Sequence, residues 1–144
     1  REKMLMIKSL WTEDVASFDG ELISLEPSWA WPKPVQQPHP PIIMGAGAGP
    51  RTIADMVEFC DGWIPLGRHE LGPKVDEVRH ALEDAGRDPA EFQMINYGSR
   101  SQPEFIEALL ELGFNEAVFA VDSKSPEEVV EALDEISEFT AQYR

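Results

Sequence analysis

Four short apolar runs, each followed by a helical segment, set the narrowest limit on what this chain can fold into. They are Ile42-Ile43-Met44, Trp63-Ile64-Pro65-Leu66, Phe92-Gln93-Met94-Ile95-Asn96-Tyr97 and Ala117-Val118-Phe119-Ala120-Val121. Strand and helix alternating every ~20 to 30 residues predict parallel strands joined by right-handed crossovers, with both faces of the sheet needing cover. Two architectures satisfy this: an open doubly wound sheet, or half of an eight-stranded barrel that needs roughly 250 residues in all.

The helices between the strands carry readable ends. One places Val75, Val78, Leu82 and Ala85 on a single stripe and stops at Gly86. The next starts at Pro103, is expected to bury Ile106, Leu109 and Leu110, and stops at Gly113. The last opens on Ser125-Pro126-Glu127-Glu128, a capping box with proline in the first helical position, and continues through Val129, Val130, Leu133 and Ile136.

The region ahead of the first of these strands is different. Arg1 to Trp11 reads as the middle or end of an amphipathic helix with no capping residue before it, so the chain is expected to be the later part of something longer. Asp19-Gly20, flanked by apolar residues, predicts a hairpin. Six of the twelve prolines then fall between Pro27 and Pro41. No helix passes through that density, because each ring removes a backbone donor and restricts the residue before it. Residues 17–41 are thus expected to form a hairpin and extended excursion within a single domain spanning 1–144.

Composition removes several function classes. With 12 Lys and Arg against 27 Asp and Glu, the net charge is −15, which repels nucleic acid and anionic membranes. No apolar stretch approaches the ~20 residues of a membrane span, and the single cysteine, Cys60, has no partner for an internal disulfide. A cytoplasmic setting is expected. The 42% hydrophobic content supports a packed core.

The residues that bear on chemistry are few. Met44-Gly45-Ala46-Gly47-Ala48-Gly49-Pro50-Arg51 lies between a strand and a helix, where glycines let backbone N–H groups approach a phosphate at the positive end of the helix dipole. It departs from the dinucleotide fingerprint, which would need a third glycine where Pro50 stands, and it lacks the lysine of a P-loop. A tight turn that needs glycine for its geometry is the competing reading. Trp63, after Asp61-Gly62, either faces a ring-shaped ligand or fills the core. Cys60 shares a helical stripe with Ile53, Met56 and Val57 and reads as a buried, inert thiol. Trp29 and Trp31 either line a pocket mouth or pack the excursion down. His39, His69 and His80 show no partners, the acidic face from Glu127 to Glu138 reads as solvated surface, and no metal cluster or nucleophile–base set is visible.

Taken in order, Leu10-Trp11-Thr12-Glu13, Phe18-Asp19-Gly20-Glu21, Trp31-Pro32-Lys33-Pro34-Val35-Gln36, Pro40-Pro41-Ile42-Ile43-Met44-Gly45, Gly49-Pro50-Arg51-Thr52, Asp61-Gly62-Trp63-Ile64-Pro65 and Gly113-Phe114-Asn115-Glu116-Ala117-Val118-Phe119 resemble the carboxyl-terminal half of luciferase-like flavin monooxygenases. The nearest likeness is to the branch that uses the deazaflavin coenzyme F-420. The resemblance implies an α/β fold in which the four strands are the fifth to eighth of a TIM (β/α)8 barrel. It implies a cofactor, F-420 or alternatively FMN, whose phosphate is held by Gly45, Ala46 and Gly47, with Arg51 and Trp63 nearby. It further implies hydride transfer to or from a small organic substrate, with most residues around the reacting ring in the missing half. The exposed edges of a half-barrel imply a homo-oligomer or pairing with that amino-terminal half.

Overall fold

The computed structural model describes residues 1–66 and 71–143. Helix α1 (Glu2–Thr12) leads into the hairpin β1 (Ala16–Asp19) and β2 (Ser24–Ser28), and an irregular stretch carries the chain to β3 (Ile43–Ala46). There follow α2 (Pro50–Phe59), β4 (Gly62–Pro65), α3 (Leu71–Asp84), β5 (Gln93–Ser99), α4 (Pro103–Glu111), β6 (Glu116–Phe119) and α5 (Pro126–Thr140). Strands β3, β4, β5 and β6 lie side by side in chain order, all parallel.

That order bears on the two architectures the sequence left open. A doubly wound sheet reverses its strand order partway and so places helices on both faces. Here Met56 and Phe59 of α2, Val75, Val78 and Leu82 of α3, and Ile106 and Leu109 of α4 share one core with Trp63 and Met94. The helices of these units are on one face, and the chain winds in one direction through the four strands, as it does along a barrel wall. Residues on alternate positions, Ile43, Gly45, Ile64, Ile95, Tyr97 and Val118, occupy the other face.

Helix ends follow their sequence signals. Arg87 N–H donates to the Leu82 carbonyl and Gly86 N–H to Glu83, while Phe114 N–H donates to Leu109 and Gly113 N–H to Leu110. Both are Schellman closures on glycines with φ of 73° and 83°. At Ser125 both bonds of the capping box are present. The packing departs from expectation at Leu110, which is 53% exposed because the buried stripe of α4 runs through Ile106 and Leu109. Ala85 lies past the last turn of α3 and is exposed as well.

The hairpin forms, but its turn is wider than an Asp-Gly pair. Residues 20–23 make the loop because the Glu2 carboxylate accepts N–H bonds from Glu21 and Leu22, at 2.9 Å each, and from Ile23 at 3.2 Å. Lys33 holds the other end of α1, donating to the carbonyls of Leu10 and Glu13. Between β2 and β3 the chain forms no helix or strand, as the proline density requires. Within the sheet, Gly62 has a specific packing reason: a Cβ there would stand 2.6 Å from the Gln93 carbonyl oxygen of the neighbouring strand.

Gly62→Ala should therefore cost about 1–3 kcal/mol of stability, read as a lowered urea midpoint; an unchanged midpoint would contradict the close approach of β4 and β5. The N–H bonds to Glu2, Leu22 foremost, hold its carboxyl below the usual carboxylate range. Stability from a depressed carboxyl is present above its unfolded pKa and disappears as pH falls through the folded one. Glu2→Gln should destabilise the protein at neutral pH and converge with the parent in acid; a gap independent of pH would refute the capping role.

Candidate functional site

At the carboxyl end of β3 the sequence-singled loop divides in two. Gly45 and Ala46 belong to the strand, paired with Ile64 and Pro65 of β4, so the loop proper is Gly47-Ala48-Gly49. Gly49 caps α2 with φ −98° and ψ 165°, followed by Pro50 in the first turn, and among the described residues no side chain bonds to the N–H groups of that turn. Helix N-termini leave such donors to other partners.

The geometry also bears on why glycine recurs here. None of Gly45, Gly47 and Gly49 has positive φ; among the described residues only Gly86, Gly98 and Gly113 do. Among the described residues, a Cβ on Gly45 or Gly49 would meet nothing within 4 Å, and one on Gly47 only the Leu66 carbonyl oxygen at 3.7 Å. The turn itself therefore does not demand glycine. Side chains at these positions would instead fill the open space over the strand end and the first turn of α2.

Trp63 sits beneath this loop rather than beside it. It is 1% exposed, and its indole N–H donates to the Ala46 carbonyl oxygen at 2.7 Å. The same oxygen accepts the Leu66 N–H at 3.2 Å. In this chain the ring is closed off from a ligand, and its contribution is to fix the strand end from below. Arg51 lies exposed in the first turn of α2 and makes no ion pair among the described residues.

The carboxyl end of α2 is anchored as firmly as its start is open. Arg87 donates to the carbonyls of Met56, Val57 and Cys60, at 3.1, 2.9 and 2.8 Å, while its guanidinium lies 5.6 Å from the Phe92 ring centre. Cys60 is buried among these groups, and burial pushes its thiol up to about 11, which keeps it an unreactive thiol at neutral pH.

Other sequence candidates disperse. Trp29 and Trp31 are 79% and 65% exposed, with Lys33 over the Trp31 ring. His39 does acquire surroundings that the sequence did not show. It is buried, donates through Nδ1 to the Pro40 carbonyl at 2.9 Å, lies 3.8 Å from Asp61 Oδ2 and packs against Trp11. Asp61 in turn accepts the Ile42 N–H at 2.8 Å, so this cluster fastens the amino ends of β3 and β4, opposite the glycine loop. His80 lies exposed on α3, and His69 falls outside the described residues. The acidic residues of α5 are exposed. Among the described residues there is no cluster of metal-ligating side chains and no helix long and apolar enough to cross a membrane.

The candidate site is thus an open glycine loop at the carboxyl edge of a parallel α/β sheet whose strands follow one another in chain order. The chain belongs to the luciferase-like monooxygenase family, whose model matches residues 1–102. It is 32% identical over 141 residues to an uncharacterized protein of Mycobacterium tuberculosis, covering 95% of this chain and 48% of the relative. It is 35% identical over 76 residues to the FMNH(2)-dependent dimethylsulfone monooxygenase of Pseudomonas putida, covering 51% of this chain and 20% of that one. The chain thus spans about half the length of the first of these relatives. Among solved structures, an F-420-dependent secondary alcohol dehydrogenase holding an F-420–acetone adduct matches with a TM-score of 0.54 and 15% identity, over 96% of this chain and 52% of the other. A monooxygenase from Streptomyces bottropensis matches with a TM-score of 0.52 and 18% identity, over 94% and 41%. At those identities the likeness is one of fold.

Trp63→Phe should remove one of the two donors to the Ala46 oxygen and lower stability by about 1–2 kcal/mol. Hydrogen exchange at the Leu66 amide should quicken as the strand end loosens, and an unaltered rate would show that the indole does not hold it.

Proposed function

We propose that the protein is a flavin- or deazaflavin-dependent oxidoreductase, and that this chain supplies the loop holding the cofactor phosphate. The observation that carries the reading is the open space that the described residues leave over Gly45, Gly47 and Gly49, none of which needs glycine for its own backbone. The unbonded N–H groups at the start of α2 and the exposed Arg51 supply donors and charge for an anion there. Family membership, together with the FMNH(2)- and F-420-dependent proteins among its relatives and structural neighbours, supports a cofactor of this kind. F-420 is the preferred reading and FMN the alternative.

Such a cofactor, when bound, supplies hydride transfer with a small organic substrate. This chain's residues bind and orient. Gly47, Ala48 and the N–H groups of Arg51 and Thr52 in the first turn of α2 bind the phosphate, the Gly49 N–H being taken by the Gly47 carbonyl, while Arg51 adds charge and Trp63 fixes the Ala46 carbonyl at the strand end. We assign β3 to β6 as the fifth to eighth strands of a (β/α)8 barrel. Their helix-free face is closed either by the four preceding strands or by a second copy of the chain, and light scattering of the purified protein distinguishes a closed monomer from a dimer.

Titration with F-420 and with FMN, followed by fluorescence, tests the assignment; absence of binding to both overturns it. Gly47→Asp places a carboxylate in the phosphate position without a steric clash, since the nearest atom is 3.7 Å from the new Cβ. Cofactor affinity should fall at least about a hundredfold with thermal stability unchanged. Equal affinity in the variant would remove the loop from the site.

A further inference from the structure

Tyr97 stands open at the carboxyl end of the helix-free face. It is 69% exposed in β5, although its neighbours on the same strand, Met94 and Ile95, are 7% and 6% exposed. Met94 lies in the helix-facing core, so Tyr97, three positions on, projects to the helix-free face together with Ile95. Its partner across the β5–β6 ladder is Val118.

The strand is shaped around it. The β5–β6 register shifts between Tyr97 and Ser99, where Gly98 takes φ +74°. Ser99 is buried and its hydroxyl donates to Asn96 Oδ1 at 2.8 Å, which pins the irregularity from the core side. Bulges of this kind redirect a side chain at the rim of a sheet and recur beside ligand sites.

On the neighbouring strand, the Leu66 N–H bond to Ala46 extends the β3–β4 ladder by one residue, placing Leu66 on the same face as Ile64. Continuing the β4–β5 register sets Leu66 opposite Tyr97. Leu66 is 62% exposed. The uppermost row of the helix-free face therefore reads Gly47, Leu66, Tyr97, Val118: the glycine loop at one end, then an apolar and an aromatic side chain standing open. Isolated exposed apolar residues are ordinary on protein surfaces, but two in one row beside an anion-binding loop form a platform.

We propose that Tyr97, with Leu66 beside it, is the surface against which the ring system of the bound cofactor lies. This rests on the reading of the glycine loop as the phosphate site. Gly47 and Tyr97 are two strand spacings apart, about 10 Å. A ribityl chain joins phosphate to ring over a distance of that order. An aromatic side chain offers a flat, rigid face for stacking at little entropic cost, and the leucine fills the space under the chain.

The test compares ligands that separate ring from phosphate: FMN, riboflavin and inorganic phosphate as a competitor of FMN. Tyr97→Ala should weaken FMN and riboflavin alike by about tenfold and relieve the quenching of bound flavin fluorescence, while phosphate competes as before. Tyr97→Phe should retain affinity and quenching. Gly47→Asp should show the opposite selectivity, losing FMN and phosphate but not riboflavin. If Gly47→Asp behaves so while Tyr97→Ala binds FMN as the parent does, the platform is overturned and the phosphate reading stands. If the parent protein binds neither FMN nor F-420, both fall. An unchanged thermal midpoint in Tyr97→Ala, and the same loss in Tyr97→Leu, would exclude misfolding as the cause.

Discussion

The indole of Trp63 is where core and candidate site meet. Its ring is packed between the sheet and the helices, so it has the rigidity of the interior, yet its one polar atom is spent on the carbonyl that ends β3. A buried indole N–H must find a partner. Here the partner is the strand-end carbonyl of Ala46, which also accepts the Leu66 N–H. Packing, hydrogen-bond satisfaction and the open character of the glycine segment are therefore one arrangement. Arg87 plays the matching part at the other end of α2, satisfying three terminal carbonyls and leaving the helix's free donors at the end that faces the loop.

Much of the architecture was legible because local chemistry and tertiary structure agree. Gly86 and Gly113 end their helices with left-handed closures that few other residues adopt without strain, and Ser125 with Glu128 starts one by mutual capping. What the pattern did not contain was the order of the strands. Alternation in the sequence is the same for single and double winding, and it is the strand order together with the core shared by α2, α3 and α4 that shows one direction of winding here. The hairpin turn was misplaced for a related reason. The carboxylate that shapes it comes from Glu2, far along the chain, and a local signal at Asp19-Gly20 carries no trace of it.

The site was legible in its position and less so in its division of labour. Glycines between a strand and a proline-started helix mark the place, but the sequence does not distinguish a backbone that needs glycine from one that leaves room for something else. That distinction required the dihedral angles. Trp63 was visible as a candidate because of its type, while its inward aim depends on strand parity set by Met44 and Met94 on either side. Tyr97 was passed over as one apolar letter in a strand. Counting by twos from buried Met94 reaches Asn96 and leaves Tyr97 with Ile95 on the opposite face, and Gly98 marks the disrupted ladder beside it.

Because β3, β4, β5 and β6 touch in chain order, each strand–helix unit is held mainly by the units before and after it. The parts are consequently unequal in what their loss would do. Helix α5 buries no residue, with Val130 and Leu133 more than half exposed, so it contributes little to the cooperativity of the rest and can fray while the sheet stays intact. Strand β4 has the reverse status. It carries Gly62 and Trp63, runs on into Leu66, and lies between the glycine loop and the strand of Tyr97, so a change at one reaches the other most directly through it.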